Sequence, residues 1–209
     1  MNDAPKRKYA TAGQVLRTYY RSVIRYPFSI ALVFTGVIGL QVADLAAPWY
    51  LKEFFNLLAT QSPNAATVTQ LLGIIVVVAL IWLTSWAMRR LQDFSNIYLE
   101  SRVMTDLFSK AFEYLIGHSY SFFTSNFAGS LTHRVSKFAR AFEVIFDAIA
   151  LQFFPTFLFV CGAVTVLFIR NHALGIALGV WSVLFMAFQI YVAKLRQPVR
   201  AARAVADTR

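Results

Sequence analysis

The sequence predicts an all-α membrane protein: four long transmembrane helices with cytoplasmic extensions, preceded by an amphipathic interfacial helix. Three observations carry this. Hydrophobic residues make up 58% of the chain and charged residues only 14%, against about 25% charged in an ordinary globular domain. Four apolar stretches lack Asp, Glu, Lys and Arg over the length needed to cross about 30 Å of hydrocarbon. The basic residues are also segregated: 18 of 20 fall in three of the five segments outside these stretches.

The first element lies in GQVLRTYYRSVIRYPF. Val15, Leu16, Tyr19, Tyr20, Val23 and Ile24 recur at helical spacing while Arg17, Arg21 and Arg25 recur every four residues on another face. This reads as a helix along the inner membrane surface, within a segment 1–26 that also holds a basic tail; a disordered basic arm is the alternative. Pro27 marks the bend into the first span. The spans are expected at about 27–51, 68–90, 148–169 and 172–194. The last two are separated only by Arg170-Asn171-His172, so a turn is forced there, because the combined apolar run is about twice one crossing. Unpaired backbone is costly in lipid and no alternating pattern suggests a barrel, so the spans are helices.

Orientation follows from the basic residues. Six lie before span one, seven between Arg89 and Asp147, and five after Ala193; the other two connections hold one each, Lys52 and Arg170. The positive-inside rule places both termini and the long central connection in the cytoplasm of an inner or plasma membrane. The net charge of +10 is explained by this topology, without a nucleic-acid partner.

The connection from Arg89 to Asp147 carries the specific signals. Leu91, Phe94, Tyr98, Leu107, Phe108, Ala111, Phe112, Leu115 and Ile116 mark an apolar stripe at spacings of three and four, uninterrupted by proline. Span two should therefore continue as one rod to Ile116, capped by Gly117. The return arm repeats the pattern in Leu131, Val135, Phe138, Ala141, Phe142, Ile145 and Phe146, with Ser130 a candidate N-cap. Together they form an inner helical hairpin with its tip at about 118–130. Its outgoing arm reaches about 42 Å at helical rise and its return arm only about 25 Å. Either span two protrudes from the lipid, or Arg89 and Arg90 lie at membrane depth facing a watery cavity.

These features, in this order, resemble the transmembrane domain of ATP-binding cassette (ABC) exporters of the six-helix type. The likeness rests on the basic interfacial helix, the second helix running far into the cytoplasm, and the turn pattern Phe122-Phe123, Thr124-Ser125-Asn126, Gly129 and Arg134. The family commonly has an Asp a few residues after that basic position, where this chain has Ser136-Lys137-Phe138. The resemblance implies a partial transmembrane domain over 27–209, within an ATP-driven exporter. It also implies a coupling element, Tyr120, Ser121, Phe122, Phe123, Thr124, Ser125 and Asn126, that docks on an ATPase domain; aromatics folded back on their own hairpin are the alternative. A second transmembrane domain, in a homo- or heterodimer, and an unidentified substrate are further implied partners besides the lipid.

No GxxxxGK[ST] occurs in the sequence, so the chain is not expected to be an enzyme, and ATP and Mg are expected only at an ATPase domain outside it. It ends in QPVRAARAVADTR, a basic helical continuation with no stop signal, as though within a second outward leg. A proton-driven peptide transporter of the same helical architecture, and a four-helix membrane scaffold, are the other readings. His118, His133 and His172 have no metal-like spacing, Gly175 and Gly179 permit close helix contact, and Pro155 is expected to kink span three. No nucleophile or acid–base pair stands out.

Overall fold

A computed structural model describes residues 11–118 and 128–206. These residues form six α-helices and one π-helical stretch: α1 (Ala12–Val23), α2 (Pro27–Thr60), α3 (Ala65–Ile116), α4 (Ala128–Phe146), a π-helix (Asp147–Phe153), α5 (Phe154–Arg170) and α6 (His172–Ala206). Four helical segments among them are long and apolar enough to cross a membrane. The chain is a multi-pass membrane protein. It divides into two compact units, residues 1–155 and 156–209, treated separately below.

The helix boundaries follow local chemistry. In α1 the Gln14 side chain reaches back to accept the Thr11 N–H at 3.0 Å, satisfying a donor that the first turn leaves open. Pro27 occupies the first turn of α2, where its missing N–H costs nothing. Asn64 caps α3, its Oδ1 accepting from the Thr67 N–H at 2.8 Å. Both helices outrun the apolar windows read from sequence; α2 continues through Pro48 and ends only at the Ser62-Pro63-Asn64 turn.

The expected rod is present, because α3 runs unbroken to Ile116. Gly117 follows at φ −69°, right-handed, so its capacity for positive φ is not used. The return helix already exists at Ala128, which places Ser130 inside it rather than at its cap.

The core of the first unit joins four elements. Tyr19 of α1, Val33 of α2, Leu99, Val103 and Leu107 of α3, and Ala139 and Phe142 of α4 are buried together, with Val15, Val23, Phe138, Ile145 and Phe146 packed around them. The stripe expected on α4 is largely the buried one. That on α3 is corrected: Phe94, Tyr98 and Phe112 are exposed, and the buried face is Ser95, Asn96, Leu99, Val103 and Leu107. Compact aliphatic side chains at i, i+4 spacing let neighbouring helices approach, whereas the large rings project outward. Likewise the apolar set on α1 splits. Tyr19 is buried and Leu16, Tyr20 and Ile24 are exposed.

Close approach of α2 to α3 depends on Gly36. A Cβ there would lie 2.8 Å from Gln92 Cβ and 2.9 Å from the Met88 carbonyl oxygen, well inside van der Waals contact. Within the second unit, Asn171 alone links α5 to α6, its Oδ1 accepting from Ala173 N–H at 3.0 Å and Leu174 N–H at 3.3 Å. The forced turn is there. A Cβ on Gly175 would collide with the Phe168 backbone, so this glycine does permit close helix contact. Just before Pro155, where a kink is expected, the first unit has a π-helical stretch, with Phe154 N–H bonded to the Ile149 carbonyl. The wider turn accommodates a residue that has no N–H to give.

Candidate functional site

The hairpin is held by contacts that cross all its members. Tyr19 Oη donates to the Phe138 carbonyl at 2.6 Å, and its ring lies 5.1 Å from that of Phe138 and 5.6 Å from that of Phe142. Burial raises the Tyr19 phenol above its usual pKa, which keeps it a donor. Lys110 Nζ donates to the buried Ser22 Oγ at 2.9 Å, and Arg25 pairs with Asp106 at 3.3 Å. The helix α1 thus holds both arms of the hairpin, α3 through Ser22 and α4 through Tyr19, and Arg25, just past its end, adds an ion pair to α3.

The expected coupling residues Tyr120 to Asn126 lie outside the described residues. The arms that lead to them are described: α3 ends at Ile116, and His118 Nδ1 lies 2.8 Å from the Tyr114 carbonyl. Arg89 and Arg90 are exposed on α3, and Arg90 pairs with Asp93 at 3.5 Å. Met88 and Gln92, on either side of them, face Gly36.

A group that sequence reading missed lies one to two turns further along α3. Asn96 Nδ2 donates to Asp147 Oδ1 at 3.5 Å across the hairpin, and the Glu100 carboxyl is within hydrogen-bonding reach of Asp147. Burial first, then Asp147, push the Glu100 carboxyl up to about 7. Glu100 lies about 15 Å beyond Arg90, outside the spans, and opposite the residue before span three. The signal available in sequence was Asn96 at i−3 from Leu99, a polar side chain on what proves to be the buried stripe.

Two clefts lie between α2 and α3 near the turn that joins them. One of about 220 Å³ is lined only by Leu51, Phe54, Ile74, Ile75, Val78, Ala79 and Trp82. The other, shallower, includes Tyr50, Glu53, Gln61 and Gln70. Neither brings together groups for covalent or acid–base chemistry. Among the described residues no three His, Cys, Asp or Glu side chains converge as metal ligands.

Compared with known protein families, residues 30–207 match the model of the ABC transporter transmembrane region. No curated protein matches the chain.

Proposed function

Because this chain belongs to the family of ABC transporter transmembrane regions, we propose that it forms part of the substrate pathway of an ATP-driven exporter. In this reading its inner hairpin takes up the motion of an ATPase domain. Both termini and the hairpin lie on the cytoplasmic side, as the basic residues indicate. The observation that carries the reading is mechanical. A single helix, α3, runs from a membrane span to Ile116, and the return arm α4 is locked to it through Leu99, Ala139 and Phe142. Packed helices move as bodies, so displacement at the tip reaches the span.

Residues Tyr120 to Asn126 would make the contact with the ATPase domain, Phe122 and Phe123 as its buried anchors. The test is Phe122→Ala/Phe123→Ala in the native assembly, reconstituted in vesicles. Loss of substrate-stimulated ATP hydrolysis with intact assembly is expected. Unchanged coupling would reject the role.

Arg89 and Arg90 would line a water-filled part of the pathway. Two registers support this. Gly36, which faces Met88 and Gln92, is about 13 Å into span one by helical rise, and Asp147, where span three begins, faces Asn96, about 9 Å nearer the cytoplasm than Arg90. An arginine at that depth costs several kcal/mol unless it is solvated or paired. Cysteines at positions 89 and 90 should react with water-borne thiol reagents more slowly than surface sites and be protected by substrate; reaction at the surface rate would reject it.

A further inference from the structure

The group formed by Asn96, Glu100 and Asp147 has a feature that the transport reading does not use. Asn96 Oδ1 and Glu100 Oε1 are both enclosed and without a hydrogen-bond partner, and Asn96 as a whole is only 7% exposed. Two enclosed acceptors beside a second carboxylate form an arrangement that lacks a hydrogen. Left so, each acceptor forfeits its hydration with nothing in return, and two ionised carboxylates in contact repel.

We propose that Asn96, Glu100 and Asp147 form a proton-binding site in which the two carboxyl groups share one proton at neutral pH. Asn96 Nδ2 donates to Asp147 Oδ1 and the Asn96 amide also acts on the Glu100 carboxyl, so Asn96 holds the two carboxyl groups beside each other while Glu100, the one that burial shifts upward, carries the proton. The binding step is simple: one proton from water adds to the doubly ionised pair, and no bond is broken.

The surroundings favour a proton over a compensating side chain. Glu143, one turn before Asp147 on α4, adds negative charge. The facing stretch of α2, Pro27 to Ala43, has no ionisable side chain. The nearby cations are engaged elsewhere, Arg25 with Asp106, Lys110 with Ser22, Arg90 with Asp93 and Arg102 over the Tyr98 ring. A divalent cation would need more ligands than this pair supplies. The π-helix that begins at Asp147 places the site where the helix is least regular, and such bulges are frequent at functional positions.

The inference is independent of whether the assembly exports, and its test needs only this chain in lipid vesicles. Infrared difference spectra across pH should show a protonated carboxyl band lost with a midpoint of about 7. Glu100→Gln should abolish it. Asp147→Asn should lower the midpoint by a unit or more, toward the ordinary carboxylate range. No band near pH 6 in the wild type, a band that persists in Glu100→Gln, or a midpoint in Asp147→Asn at or above wild type would each overturn the proposal. So would a midpoint that moves when sodium, potassium or magnesium is exchanged at constant ionic strength, because the site would then bind the cation.

Discussion

The hairpin end of the first unit and the helices of the second unit are both rich in apolar side chains, yet they dispose of them in opposite ways. Around the hairpin, Leu99, Val103 and Leu107 of α3 are wholly buried. In α5 no residue is buried, and Phe157 is 66% exposed. Water explains the difference. Where the chain leaves the membrane, apolar surface must be removed from solvent, and a core of soluble type forms. Within lipid that drive is absent, so apolar side chains can remain outward, and contact depends on small residues such as Gly175. The packed core of the first unit therefore gathers around the hairpin, with α1 and α2 contributing to it.

The comparison can be broken most directly by truncating one side chain on each side of it. Leu99→Ala should destabilise the chain by about 2–5 kcal/mol, the usual result of emptying a filled core position. Phe157→Ala should cost less than about 0.5 kcal/mol, both read from thermal unfolding in the same detergent. Equal losses would show that the two regions are packed alike.

A smaller effect sharpens the boundary between them. Gly36→Val sets a side chain against the Met88 carbonyl and Gln92, and backbone yields less readily than a side-chain end. A loss of about 1–3 kcal/mol is expected, together with faster proteolysis between α2 and α3. A variant as stable as the parent would mean that these helices separate freely.

The smallest effect concerns charge. The Arg25 side chain is 59% exposed in its pair with Asp106, so Arg25→Ala should cost less than about 1 kcal/mol. The loss should shrink further as salt is raised. A large, salt-independent loss would make this pair part of the core grip of α1, alongside Tyr19.

Much of the architecture was legible because it depends on near neighbours. Pro27 opening α2, the unbroken run of α3 to Ile116 and the one-residue turn at Asn171 each follow from the residues on the spot. The buried face of α3 was not legible. Phe94 and Tyr98 lie on one apolar stripe and Leu99 and Val103 on another, and hydrophobicity alone prefers the larger rings. Gly36 was passed over for the same reason, as a glycine signals only what it permits, and its neighbour on α3 is remote in sequence.

Taken alone, the sequence determined the four spans and their order, because bilayer thickness acts on local composition. Tertiary structure alone decided which faces pack and which polar groups meet. Asn96 and Asp147 are 51 residues apart, and only the register of α3 against the returning arm brings them together. That register is set by the shapes of Leu99, Ala139 and Phe142, which composition does not encode.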